Sequence, residues 1–458
     1  MNKDIFYKKE TVYKKAGSEI VKKAYAYAED YKAFLDAAKT EREAVRTAID
    51  MLSAKGFREY SFGDVIKAGD RLYYNNRGKN LFVFTVGENI ASTGLRITAS
   101  HVDAPRIDIK QCPLYEDGGM AFFKTHYYGG IRKYQWVATP LALHGVIVKK
   151  DGTSVNVCIG EDDSDPVFYM TDLLPHLGKE QAKLPLSDAI KGEQLNVLVG
   201  NTPDNEDGSV KNAVMYLVNE KYGVTEDDFF SSELCVVPSA KAKDVGFDRS
   251  LIGSYGHDDR VCAYPSLTAL IEALDSGCQN SLMCILADKE ETGSDGVSGM
   301  QSDLILDIIN SIADAMKVSP ALLRSRSKCL SADVSAGYDP NFPEVFEKMN
   351  SAMVGCGTIF TKYTGGGGKS STNDANPEFI AWLRAAMEKD GVVWQSAELG
   401  KVDAGGGGTV AKYIAKHNIE TIDLGVAVLA MHAPYEVVSK VDVYETHRAI
   451  KAFYTFDR

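Results

Sequence analysis

The chain has 458 residues, 45% of them hydrophobic and 25% charged, with a formal net charge of -12. That length allows two or three domains with an ample core, and the balance is ordinary for a globular protein. The acidic surplus argues against nucleic acid or an anionic membrane as the main partner, because both need a basic footprint.

The opening stretch MNKDIFYKKETVYKK is charged and has no apolar leader core. No run approaches the roughly 18 apolar residues of a membrane span. The eight cysteines are scattered without a C-x-x-C pair, and Cys284 sits inside the apolar run SLMCILA. This fits reduced core cysteine in a cytoplasmic protein, not a disulfide frame or a thiolate zinc site.

Residues 10–55 carry apolar residues at helical spacing and end at a glycine. Strand-like runs NLFVFTVG and LRITASHVDAP follow. Up to about Glu233 the pattern changes to aromatic-rich, alternating runs broken by turns (MAFFKTHYYGG, LALHGVIVKKDGTSVNVCIG), as in a mainly antiparallel domain. Beyond it, strand candidates such as SELCVVPS, SLMCILADKE, KCLSADVS, GTIFTKYT, GVVWQSAE and TIDLGVAVLAM alternate with helical patterns. Alternation of this kind predicts a layered α/β domain with helices on both faces of a sheet. The expected division is residues 1–104 and 233–458 for a layered α/β domain, interrupted at 105–232 by a smaller mainly β insert.

Five segments share one format, an apolar run followed by His, Asp or Glu in a loop. They are ITASHVDAP (His101, Asp103), SYGHDDR (His257, Asp258, Asp259), ILADKEETGSDG (Asp288, Glu290, Glu291), LSADVSAG (Asp333) and LAMHAPYE (His432). In open α/β sheets, residues just beyond the carboxyl ends of strands converge. Imidazole and carboxylate without thiolate suit a catalytic zinc, manganese or cobalt site better than a structural zinc site. Of two adjacent glutamates, one can ligate metal while its neighbour serves as general base.

The ordered set H-x-D-[SA]-P, a D-[ND] motif opening a helix, E-E-x-G, S-A-D and a late M-H resembles the aspartyl aminopeptidases, a family of dinuclear-zinc enzymes. The resemblance spans almost the whole chain, the insert included. It implies release of N-terminal Asp or Glu from peptides. It implies that His101, Asp258 and Asp333 hold one zinc and that Asp258, Glu291 and His432 hold the other. Glu290 would be the general base, and Asp103 would orient His101. Three carboxylates against two divalent cations leave one positive charge, which a hydroxide neutralises. The family commonly has Asp-Asn where this chain has Asp258-Asp259, so Asp259 is a rival for the bridging position. Where eukaryotic members carry a histidine after S-A-D, this chain has Ala336.

The resemblance also implies that the insert forms dimers, which assemble into a dodecamer, and that His176 in DLLPHLGKE reaches a neighbour's site. Lys362 would meet an acidic substrate side chain, and Gly408 and Thr409 would line the site. TGGGGKSST imitates a phosphate loop, but Tyr363 stands where the first glycine belongs, so nucleotide binding is rejected. A related aminopeptidase of broad or neutral specificity and a non-catalytic relative are the alternative functions. The intact Glu290–Glu291 pair argues against the latter.

Overall fold

The computed structural model describes residues 5–457; the first four residues of the opening stretch lie outside them. The described chain forms two compact units. The first comprises the chain up to Asp103, Ala242–Met431 and Glu436 onward; the second comprises Ala104–Lys241 and the short segment His432–Tyr435.

A nine-stranded sheet organises the first unit. At its centre Ser281–Ala287, Leu95–His101, Lys328–Ala332 and Glu420–Gly425 lie side by side and parallel. They are buried almost throughout because both faces are covered. Along Ser281–Ala287 the faces alternate: Leu282, Cys284 and Leu286 join one core with residues of helices Ser18–Ala37, Glu41–Ser53, Pro377–Lys389 and Lys440–Thr455. Met283, Ile285 and Ala287 join the opposite core with Ile305, Ile308 and Ile312 of helix Leu304–Ala315. This is the layered α/β domain expected from the alternation of patterns. No helix among the described residues is long and apolar enough to cross a membrane.

Two expectations need correction. The helical pattern over 10–55 is three helices, Val12–Lys15, Ser18–Ala37 and Glu41–Ser53. The chain breaks before Thr40, whose hydroxyl accepts from the Glu43 N–H at 3.3 Å while the Glu43 carboxylate accepts from the Thr40 N–H at 3.0 Å. This capping box restarts the helix, and its T-x-x-E signature was present in the sequence. The second correction concerns SELCVVP, read as the return to the layered domain. Ser232–Pro238 instead pairs antiparallel with Pro140–Val148 from Ser232↔Ile147 to Pro238↔Leu141. Its other edge pairs with Arg106–Asp117, so it closes the second unit's seven-stranded sheet on itself. An apolar run reports burial and not its partner, so its periodicity could not assign it to a sheet.

Candidate active site

The parallel strands end at one edge of the central sheet, and the chemistry begins there. His101 is the last residue of Leu95–His101. Asp333 follows Lys328–Ala332, and its N–H donates to Leu424 O at 3.3 Å on the neighbouring strand. That approach is so close that a Cβ on Gly425 would fall 1.8 Å from Asp333 O, which explains the glycine. Glu290 and Glu291 open a short turn, Glu290–Thr292, after Ser281–Ala287. Asp258 and Asp259 precede the regular part of helix His257–Asp275, their own φ/ψ angles being non-helical, and the peptide bond between them is cis.

These side chains meet. His101 Nε2 lies 3.1 Å from Asp258 Oδ1, 3.9 Å from Asp333 Oδ1 and 4.0 Å from Glu290 Oε2. His101, Asp258 and Asp333 present one nitrogen and two oxygens within 4.8 Å of one another, and Asp258 and Glu291 present oxygens equally close. His101 Nδ1 lies 3.0 Å from Asp103 O and 3.3 Å from Asp103 Oδ1, so it carries a ring proton and Nε2 is the nitrogen turned to Asp258. The rival aspartates are separated by their partners. Asp258 points its carboxylate into the cluster, whereas Asp259 Oδ2 accepts the His101 backbone N–H at 3.1 Å.

The electrostatics follow from burying several carboxylates around one imidazole. Burial acts to lower the His101 pKa, but hydrogen bonds to Asp103 and Asp258 and the charge of Asp259 outweigh it, so the ring's affinity for a proton is raised well above normal. Burial, then the Glu290 and Asp258 charges, holds the Asp333 carboxyl well above the usual range against the pull of His101. Burial and Asp333 do the same to Asp259. The attraction that draws protons to this spot draws a divalent cation more strongly, and the donors are of the kind zinc takes in catalytic sites. The residues present therefore fit a metal ion.

Several roles were invisible in the sequence. Asp103, fully buried, accepts the Glu290 N–H on Oδ1 and the Glu291 N–H on Oδ2, both at 3.2 Å, so it orients the glutamate turn as well as His101. Glu436 Oε2 accepts the Asp258 N–H at 3.1 Å. Asp423 interrupts the apolar strand TIDLG, a signal that could have been read; it accepts the Thr409 hydroxyl at 2.7 Å. The Thr409 side chain is thus committed to the protein. The helix after Gly408 and Thr409, Ala411–Ala415, has five residues. His257 turns inward, with Nδ1 2.8 Å from the Tyr31 hydroxyl and Nε2 3.2 Å from Ile252 O, and burial pushes it down to about 3, so it is neutral.

Lys362 is not brought to this cluster. Thr358–Thr361 runs antiparallel to Glu420–Gly425, pairing Ile359 with Gly425 and Thr361 with Asp423. The chain at Lys362 therefore heads away from the edge bearing Asp333, and its ammonium is bonded to Asp374. His432 belongs to the segment grouped with the second unit; its Nδ1 lies 2.7 Å from Gly130 O, which fixes a ring proton on that nitrogen. His176 is exposed in a turn of the same unit.

Comparison with known proteins adds to this geometry. The family model described as Aminopeptidase I zinc metalloprotease (M18) matches residues 34–454. A probable M18 family aminopeptidase 1 of Clostridium acetobutylicum is 48% identical, covering 99% of each chain. The solved structure of an M18 family aminopeptidase from Thermotoga maritima superposes with a TM-score of 0.92 at 40% identity, covering 98% of this chain and 99% of that one. The S. cerevisiae mApe1 dodecamer, at 22% identity and a TM-score of 0.77, covers 93% of this chain and 96% of its own; it shares the fold.

Proposed function

Because the chain belongs to the M18 family of zinc aminopeptidases, and so is a zinc-dependent peptide hydrolase that releases N-terminal residues, we propose that it works with two zinc ions and prefers an acidic N-terminal residue. The observation that carries the reading is the convergence of His101 Nε2 with Asp258 and Asp333, with Asp258 also close to Glu291. In this reading His101, Asp258 and Asp333 hold one ion, and Asp258, Glu291 and His432 hold the other. The same nitrogen and oxygen donors accept manganese or cobalt.

Zinc bound there supplies Lewis acidity toward the scissile carbonyl and toward water. Glu290, whose Oε2 is 4.0 Å from His101 Nε2, takes a proton from the attacking water and passes it to the leaving amine. Asp103 keeps Glu290 in place by accepting its backbone N–H. Thr409, tied to Asp423, fixes the glycine turn that lines the substrate's path.

An aminopeptidase of broad or neutral specificity is the second reading, and one observation favours it: the ammonium of Lys362 is bonded to Asp374. A panel of chromogenic Asp, Glu, Leu and Ala substrates separates the two. Higher kcat/KM for Asp or Glu supports the acidic preference; higher kcat/KM for Leu overturns it and leaves the aminopeptidase.

We also propose that the insert forms dimers that assemble into a dodecamer, with His176 reaching a neighbour's site. Around exposed His176, Leu173, Leu174 and Leu177 are 53%, 50% and 70% exposed, an apolar stretch suited to burial against another copy. Fully active monomers in light scattering would contradict this. A cytoplasmic location is proposed from the free cysteines, which suit a reducing compartment; fractionation tests it.

A further inference from the structure

Resting on the acidic preference proposed above, we infer that Lys412 is the residue that meets the carboxylate of the substrate's N-terminal side chain. Lys412 lies in the short helix Ala411–Ala415, which is tied to the site at two points. Just before the helix, Thr409 Oγ1 donates to Asp423 at 2.7 Å. Asp423 pairs in register with Ser331, two residues before Asp333, and its charge acts on Asp333. Within the helix, the Tyr413 hydroxyl donates to Gly293 O at 3.0 Å, immediately past the turn that carries Glu290 and Glu291. Lys412 therefore stands between the wall bearing Asp333 and the wall bearing the glutamates.

Its ammonium lies against the glycine turn: a Cβ built on Gly408 would be 3.4 Å from Lys412 Nζ. Among the described residues no carboxylate forms an ion pair with Lys412, whose one charged-group contact is with the ring of Tyr413, 4.9 Å away. Three other cations of the chain are already engaged. Lys362 and Lys369 share Asp374, the latter at 3.1 Å. The buried guanidinium of Arg260 donates to Lys39 O and Val102 O at 3.0 and 3.1 Å. With two zinc ions and a hydroxide balancing the ligand carboxylates, the centre itself offers a substrate side-chain carboxylate no net positive charge, and the chain's net charge of -12 opposes it, so an acidic preference requires a local cation with charge to offer. Among the described residues, Lys412 is a cation in that condition whose ammonium also lies against Gly408 of the glycine turn.

The experiment compares kcat/KM for N-terminal Asp and Leu substrates in wild type, Lys412→Met, Lys412→Arg and Lys362→Met. A hydrogen bond to a charged group contributes enough for roughly a tenfold to hundredfold effect. Lys412→Met is therefore expected to cut the Asp/Leu ratio at least about tenfold, Lys412→Arg to restore most of it, and Lys362→Met to move it less than Lys412→Met does. A ratio within twofold of wild type in Lys412→Met, or a larger loss in Lys362→Met, overturns the assignment. If the Met variant does not fold, Lys412→Gln reads the same ratio. The acidic reading fails separately: a wild type that prefers Leu overturns it, and the assignment of Lys412 with it.

Discussion

Replacing Asp103 by Asn tests whether one buried carboxylate organises both His101 and the glutamate turn. Asp103 is fully buried and accepts two backbone N–H groups, one on each oxygen, at 3.2 Å, while Oδ1 also faces His101 Nδ1 at 3.3 Å. Asparagine keeps the volume but offers one acceptor oxygen. Its amide nitrogen then faces either the Glu291 N–H, or the Glu290 N–H together with the His101 ring, donor against donor. Losing one hydrogen bond to a charged acceptor costs about 1.5–3 kcal/mol, and an N–H left unsatisfied adds about 1–3 kcal/mol. The two overlap and do not simply add. Partners that orient metal-ligating histidines typically contribute 10–100-fold in metal affinity or activity. Asp103→Asn is therefore expected to lower kcat/KM by roughly that factor and to weaken zinc retention in chelator competition. Far-UV circular dichroism should stay unchanged. Wild-type activity within twofold together with unaltered zinc affinity would refute the reasoning.

Glu290→Gln should retain zinc and lose about 10²–10⁴-fold in kcat, as removal of a positioned proton-transfer group does; near wild-type turnover at full zinc content removes Glu290 as the base. Thr409→Val deletes the hydroxyl given to Asp423 and should raise KM and lower the thermal midpoint, while Thr409→Ser keeps both near wild type; equal behaviour of the two variants dismisses the tether. Glu272 accepts from His447 and Lys451, each at 2.6 Å, and these partners pull its carboxyl down to about 2. Its contribution is present above the unfolded value of 4.5 and lost as pH falls through about 2. The difference in midpoint between wild type and Glu272→Gln should therefore narrow from pH 5 to pH 2; a constant gap excludes the ion pair as its source.

What the sequence made legible was the part of the site that follows from strand ends. His101, Asp333 and the glutamate pair each follow an apolar run, and parallel strands carry them to one edge. Asp258 arrives by a different route, from Leu251–Ser254 in a separate three-stranded sheet, so its placement depended on the ordered motif set and not on strand alternation. Strand direction was not legible. Nothing in GTIFTKYT distinguishes a parallel from an antiparallel neighbour, and the antiparallel pairing is what carries Lys362 away from Asp333. Side-chain commitments were equally hidden: Thr409 bonds inward to Asp423, and Asp103 reaches 187 and 188 residues along the chain to the backbone of Glu290 and Glu291. Lys412 had no motif to announce it, because its position depends on what Thr409 and Tyr413 bind on either side.

The central claim is that two zinc ions share Asp258. Anomalous diffraction at the zinc edge from crystals of the zinc-loaded enzyme tests it most directly. Two peaks per chain are expected, one among His101, Asp258 and Asp333 and the other among Asp258, Glu291 and His432. A single peak at full zinc loading, or two peaks that Asp258 does not join, would contradict it.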